Sequence, residues 1–195
     1  MRGWPARLEH GDITVRPLSR RDARAWREVR LRNADWLRPW DATVPPGSQQ
    51  RPKTFGALTR SLGKAARRGQ AMPFAIDVRG TFAGQITVNN IVRGSAQFAS
   101  IGYWIDSAQA GAGVVPTAVA MVIDHCFQVA GLHRIEICIR PENSNSLRVV
   151  EKLEIREVGF APRFLHIDGA WRDHRIYAIT VEEMPQGGVI TRLSR

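Results

Sequence analysis

Cysteine is scarce: Cys126 and Cys138 are the only two in 195 residues, each lies among apolar neighbours, and they form no CxxC spacing. That excludes a disulfide framework and a cysteine-based metal centre, and two reduced core thiols fit a reducing compartment. Long hydrophobic runs are missing, and the opening Met1-Arg2-Gly3-Trp4-Pro5-Ala6-Arg7 has no apolar signal core. The expectation is a soluble, cytoplasmic chain without a membrane partner. Nor is there a Gly-Lys-Ser/Thr phosphate loop, a GxGxxG fingerprint, zinc-finger spacing, an RNP-like aromatic motif or an internal repeat. Those absences remove P-loop and Rossmann chemistry, leave a sequence-reading RNA module unsupported and require no metal.

Acidic residues are outnumbered, 18 against 28 Lys and Arg, for a net charge of +10. The sequence pI is near 11.0. Such a balance favours a polyanionic partner (RNA, an acidic protein surface or an anionic cofactor) without choosing among them. What the chain has in quantity is core material, 44% hydrophobic residues. This suits one compact domain over 1–195, with its core at about 13–182 and a C-terminal tail over 183–195.

Ile13 to Leu18 reads as a short strand. Ser19, with Asp22 as capping-box partner, opens a helix to about Arg32, with Ala23, Trp26 and Val29 on one side and Arg20, Arg24 and Arg27 opposite. A turn-rich stretch through Trp36, Trp40 and Pro45-Pro46-Gly47-Ser48 leads to a second helix over 52–68. Its apolar residues Phe55, Leu58, Leu62 and Ala65 recur at helical spacing, and Arg60, Lys64, Arg67 and Arg68 mark its wet face. Strands follow over 72–78, 82–88 and 97–105, the first two joined at Arg79-Gly80. A long apolar helix over 114–130 closes at Gly131. His133 to Ile139 is a strand with Ile135, Ile137 and Ile139 on its buried face. Ser144 to Leu153 is a helix, and strands over 160–167 and 172–181 flank Asp168-Gly169. The order βααβββαβαββ describes a mixed sheet flanked by helices, in the α/β (α+β) class.

Two junctions carry chemistry. In Ile105-Asp106-Ser107-Ala108-Gln109-Ala110-Gly111-Ala112-Gly113-Val114-Val115-Pro116 a strand feeds a small-residue loop that opens into the long helix. Unpaired N–H groups and the positive dipole end suit a pyrophosphate, Gly111 and Gly113 let backbone approach it, and Pro116 is tolerated in the first turn. An ordinary tight turn has the same residues. Further on, Asn143 or Ser144 caps the helix whose buried side is Leu147, Val150 and Leu153, and Asn143 and Ser146 sit together at its exposed start. A capped amphipathic helix accounts for that pattern as well.

Taken together, Ile101-Gly102-Tyr103-Trp104-Ile105, the loop Gln109 to Gly113, and Asn143-x-x-Ser146 leading to Glu151-Lys152-Leu153 resemble the GNAT N-acetyltransferases. The stretch from Arg24-Ala25-Trp26-Arg27 to Trp40, Gly102-Tyr103-Trp104, and Asp168-Gly169-x-Trp171-Arg172-Asp173-His174 resemble the RimJ/RimL branch. The likeness covers about residues 13–182. It implies a GNAT-like, mostly antiparallel sheet, acetyl-CoA as cosubstrate, and the N-terminal amine of a ribosomal protein as acceptor. It further implies that the backbone of Tyr103, Trp104 and Ile105 pairs with pantetheine amides. Gly111, Ala112, Gly113, Val114 and Val115 would hold the pyrophosphate, Asn143 the pantetheine arm, and Ser146 would protonate the leaving thiolate. Two departures stand out: Ala108, where the family often has Gln or Arg, and Leu153-Glu154-Ile155, where it has Leu-Gly-Phe. A left-handed cap at Glu154 costs roughly 1 kcal/mol without glycine, so that turn is expected to be distorted or rebuilt.

Acyl transfer needs a neutral amine, oxyanion stabilisation and a proton for the thiolate. An α-amine, with a reference pKa of about 7.7–8.0, meets the first condition far more readily than a lysine at about 10.4. Glu136 is the first candidate base, because it faces away from Ile135, Ile137 and Ile139; Glu142, His166, Asp173 and His174 are the fallbacks. N–H groups near Tyr103 are candidates for the oxyanion contact. Trp36 and Trp40 are placed as walls of the acceptor cleft, against the alternative of a satellite core. The Arg-rich helix is either a solvated face or a contact for ribosomal RNA. Two competing readings remain: an N-acetyltransferase for a small-molecule amine, and a non-catalytic acyl-CoA- or RNA-binding module on the same fold. Oligomeric state is left open.

Overall fold

In the computed structural model, which describes residues 2–48, 52 and 54–194 (Ser194 without its side chain), eight strands form one sheet. They are β1 (Leu8–His10), β2 (Ile13–Pro17), β3 (Met72–Val78), β4 (Thr81–Val92), β5 (Phe98–Ile105), β6 (Arg134–Ile139), β7 (Arg156–Ile167) and β8 (Ala170–Thr180). Their spatial order is β1-β2-β3-β4-β5-β6-β8-β7, and every neighbouring pair is antiparallel except β5–β6. The helices are α1 (Ala23–Arg32), α2 (Ala34–Leu37), α3 (Phe55–Arg67), α4 (Val114–Gln128) and α5 (Ser144–Lys152). Among the described residues no helix is long and apolar enough to cross a membrane.

Local chemistry accounts for the joints. Arg79 and Gly80 both adopt positive φ, 50° and 76°, the mirror-image turn that suits strand twist, and this fixes the β3–β4 hairpin. Ser19 and Asp22 form the expected capping box, on a short 3-10 turn leading into α1. The Asp22 carboxylate also takes Arg16 Nη2 at 2.8 Å, while Arg16 Nε reaches Asp77 at 2.6 Å, so β2, β3 and the start of α1 share one guanidinium. α4 is apolar almost all round and therefore lies in the main core, packed against β2 and β5.

The differences from the sequence reading are at the edges. β1 is too short for a period-2 signal, and α2 is a single turn inside the stretch expected to be irregular. β4 runs on to Val92, and β7 starts at Arg156 because two register shifts let it bend around β8. α3 begins at Phe55, capped by the Thr54 hydroxyl, which accepts from Ala57 N at 3.2 Å; Lys53, within the helix expected over 52–68, lies outside the described residues. Residues 183–194 are no loose tail: Asp124 of α4 accepts from Val189 N at 2.6 Å and Ile190 N at 3.2 Å, and Val189 is fully buried.

One topological fact positions everything that follows. β5 and β6 pair in parallel only from Phe98↔Arg134 to Ser100↔Glu136 and then part. From Ile101 onward β5 keeps β4 on one edge and, among the described residues, has no strand partner on the other. A wedge opens in the sheet between them.

Candidate active site

The glycine loop sits at the wide end of that wedge. Asp106, 4% exposed, anchors it: Asp106 accepts from Arg32 of α1, from Asn33 Nδ2 at 2.8 Å and from Ala108 N at 3.2 Å, and Asn33 Oδ1 accepts from Ser107 N at 2.9 Å. Burial alone would push the Asp106 carboxyl up; these donors, led by the Arg32 guanidinium, hold it below its usual range. Beyond the anchor the backbone is left open. Gly111 and Gly113 take φ of 81° and 78°, and Gly113 caps α4 in the left-handed conformation without a side-chain cap. Among the described residues the amides of Gly111 through Val115 donate to no carbonyl or side chain.

Three cavities run from this loop into the wedge. The first, about 250 Å³, is lined by Gly111, Gly113, Val114 and Val115 and by Trp36, Arg148 and Lys152. The second, about 90 Å³, shares Trp36, Ile105 and Val115 with it and continues past Trp104 to Tyr103, Asn143 and Ser146. The third, about 150 Å³, shares Trp40, Tyr103, Asn143 and Ser146 with the second and ends against Cys138, Arg140 and His174. A wider groove of about 500 Å³ opens at Trp40, Tyr103 and Trp104, floored by Gln85, Thr87 and Asn89 of β4 and walled by Trp26, Arg30 and Asp41.

Most of the residues singled out from sequence converge here. Tyr103, Trp104 and Ile105 line the wedge, and Asn143 caps α5 by accepting from Ser146 N at 3.1 Å. Ala112 lies in the loop between the two glycines, although it lines none of the cavities above. Among the described residues the Tyr103 hydroxyl is sealed from solvent with no hydrogen bond of its own, and burial pushes its pKa up to about 12, opposed by the nearby Ser146 side chain. Of the two tryptophans, Trp40 stands where the wedge meets the groove, under the Arg140 guanidinium at 5.3 Å. Trp36 lies on the loop side and does not line the groove.

The acid–base candidates separate. Glu136 sits on the last paired rung, its carboxylate held by Arg134 Nε at 2.8 Å, and it lines none of these cavities. Glu142 is exposed and pairs with Arg140 at 3.2 Å. His166 Nδ1 bonds the Thr43 hydroxyl at 2.7 Å, and Asp173 Oδ1 accepts from Arg163 N at 2.7 Å. His174 alone of the five lines the inner cavity, and it is 3% exposed. Of the two thiols, Cys126 is buried in α4 and Cys138 lines the inner cavity; burial, helped by the Glu136 carboxylate, pushes Cys138 up to about 11.

Sequence reasoning passed over Arg148 and Lys152. Their i,i+4 spacing on the exposed face of α5 was legible as a solvated stripe, but nothing local says that this stripe faces the glycine loop. Asp106, Asn33 and Arg32 were missed because they meet across 73 and 74 positions of chain.

The model of the Acetyltransferase (GNAT) domain matches residues 12–156. The [Ribosomal protein uS5]-alanine N-acetyltransferase of Escherichia coli (strain K12) is 28% identical over 184 residues, 93% of this chain and 94% of that protein. A Bacillus subtilis (strain 168) protein named "Probable N-acetyltransferase YjcK" is 41% identical over 96 residues, and the match spans only 53% of its length. Among solved structures, Mycobacterium smegmatis RimJ in complex with CoA-disulfide superposes with a TM-score of 0.89 at 39% identity, covering 99% of this chain and 95% of that one. The ribosomal-protein-S5-alanine acetyltransferase of Vibrio fischeri follows at 0.78 and 27%, over 92% of this chain and all of that one.

Proposed function

Because the chain belongs to the GNAT acetyltransferase family, in its RimJ/RimL branch, we propose that this N-acetyltransferase moves the acetyl group of acetyl-CoA onto the N-terminal α-amine of a ribosomal protein. The observation that carries the reading is the continuity of the cavities. They lead from open amides at the α4 N-terminus, along an unpaired strand edge, to a hydroxyl beside a second groove.

The residues fit the cosubstrate. Five free amides and a helix dipole, with the Arg148 and Lys152 cations across the cavity, suit a pyrophosphate. The free edge of β5 at Tyr103, Trp104 and Ile105 suits an extended chain with amides of its own. Asn143 Oδ1 is occupied by the Ser146 amide, which leaves its NH₂ to donate to the same chain. Acetyl-CoA supplies an activated thioester; Ser146 holds the proton that the departing sulfur takes, and the N–H groups near Tyr103 face the developing oxyanion.

The acceptor groove supports a peptide end over a cationic small molecule. Its carboxylate, Asp41, is engaged by Arg30, whose guanidinium also lies over Trp26 and Trp104 at 5.6 and 5.3 Å. Uncharged amide and hydroxyl side chains on β4, bonded in part to one another and to Trp26, make up the floor instead. The enzymes named above that act on ribosomal protein alanine point the same way. Outside the groove, Arg2, Arg67, Arg68 and Arg93 ring an open concavity of about 520 Å³, a surface suited to ribosomal RNA near the substrate. On this reading the chain works in the cytoplasm.

The test is a screen of peptide N-termini with acetyl-CoA, read by mass spectrometry. Peptides beginning with Ala or Ser are expected to gain an Nα-acetyl group. Raising salt from about 0.05 to about 0.5 M is expected to lower kcat/KM on ribosomal particles more than on a neutral dipeptide, as screening shortens the reach of the +10 charge. Products found only on lysine Nε or on small amines overturn the acceptor assignment.

A further inference from the structure

We propose that His174, which lines the inner cavity together with Ser146, is the general base of the reaction: its Nε2 takes the proton that the acceptor amine loses. The proposal rests on the acetyl-transfer reading above and names the residue that completes it.

Three observations carry it. First, His174 is the one imidazole in the inner cavity, on β8, one position past the last paired rung, Ile139↔Arg175. It shares the cavity with Ser146 and Tyr103, so acid and base candidates stand around one small volume. Second, its tautomer is fixed. Nδ1 lies 2.9 Å from the Arg172 carbonyl oxygen, which can only accept, so Nδ1 carries the hydrogen. The lone pair of a neutral ring is then on Nε2, which has no partner among the described residues. Third, the ring is held neutral. Burial lowers its pKa and the Arg140 cation, just past the end of β6, adds to that; the Arg172 carbonyl, Asp173 and Glu142 oppose it without reversing the direction. Phe164 of β7 covers a ring edge at 6.0 Å. Glu136 has none of these properties, being tied to Arg134 outside the cavity.

The step balances. The amine lone pair forms the N–C bond, the C–S bond breaks with its electron pair going to sulfur, and the nitrogen, now acidic, gives its proton to Nε2. Sulfur takes its proton from the Ser146 hydroxyl, which regains one from solvent, and His174 returns its own to solvent after the product leaves. A base with a pKa below the usual histidine value suffices, because the nitrogen's own pKa collapses as the bond forms.

His174→Gln keeps a donor for the Arg172 carbonyl and removes the base. With a peptide that the wild type acetylates, it is expected to lose about a hundredfold in kcat/KM and to lose the acidic limb of the pH profile, with the acetyl-CoA Kd unchanged. Imidazole is expected to restore turnover to His174→Gly. Retention of the acidic limb with near-wild-type turnover overturns the proposal. Independently of any variant, nitrogen-15 NMR of the wild-type ring near pH 7.5 is expected to show the neutral Nδ1–H form; a charged ring or the Nε2–H form there overturns it. Wild-type protein that binds acetyl-CoA and acetylates no amine instead fails the acceptor reading, and the NMR result still judges His174.

Discussion

Two helix N-termini face each other across the wedge, and they are finished in opposite ways. α4 begins at Gly113 with no side-chain cap and, among the described residues, leaves the amides from Gly111 to Val115 without partners. α5 begins at Asn143, whose side chain accepts from Ser146 N. An uncapped end costs stability that a Ser, Asp or Asn would restore. Beside a cavity that Arg148 and Lys152 also line, the proposed reading gives that open end to an outside anion. The capped end does something else: satisfying its own backbone ties down the first turn, which carries Ser146 on the wall of the inner cavity. In the proposed reaction one helix end binds and the other positions.

That contrast breaks most sharply at Ser146. Removing a proton donor that matters mainly in the transition state should affect turnover far more than binding. Ser146→Ala is expected to lower kcat by about a hundredfold, with little change in the acetyl-CoA KM or in Tm. Wild-type kcat across the pH range removes Ser146 from the mechanism and gives the donor role to Tyr103, whose raised pKa of about 12 keeps its proton in place.

The α4 end should respond in the opposite sense. Apart from the chain neighbours, no atom lies within 4 Å of a Cβ built at Gly111 or Gly113, so a Cβ at either position meets open space. At φ near 80° the left-handed conformation still costs an L-residue roughly 1–2 kcal/mol. Gly111→Val and Gly113→Val are each expected to raise the acetyl-CoA Kd about tenfold, equivalent to about 1.4 kcal/mol, in a domain that remains folded. Calorimetry showing unchanged affinity in both refutes the anion site.

Asn143→Ala sharpens the comparison from the other side. Loss of the cap should destabilise the fold by about 1 kcal/mol, and loss of the free NH₂ should weaken acetyl-CoA binding only about threefold. If affinity falls by as much as in the glycine variants, Asn143 is a binding residue first and a cap second.

Much of this was legible in the sequence. The β3–β4 hairpin, α4 and α5 follow from turn residues and periodicity, and the glycine loop and Asn143-x-x-Ser146 stood out by residue type at element junctions. What stayed hidden was set by tertiary placement. Whether Glu136 or His174 enters the cavity depends on where β5 and β6 part, which no local pattern encodes. Trp36 and Trp40 are four residues apart and similar in context, yet α2 and the turn after it send one to the loop side and the other to the junction with the groove.

The smallest effect is expected where α5 ends. Sequence alone suggested that a Glu in place of the usual glycine would distort this turn, but Glu154 takes φ of 49°, the left-handed cap itself. Residues outside the turn help hold it. Arg192 donates to the Leu153 carbonyl at 2.5 Å and the Glu154 carbonyl at 3.2 Å, satisfying acceptors that α5 leaves open, and its Nε lies 3.6 Å from the Glu154 carboxylate. Glu154→Gly would relieve roughly 1 kcal/mol of backbone strain but also make the unfolded chain more flexible and remove a half-exposed ion pair worth little. The net expectation is a gain of a few tenths of a kcal/mol in urea unfolding, with turnover unchanged. Arg192→Ala should remove more stability than Glu154→Gly adds, because it strips donors from two carbonyls at once. A destabilised Glu154→Gly variant would mean that the carboxylate contact with Arg192 outweighs the strain, and that the C-terminal segment holds α5 through its side chains as well as its backbone.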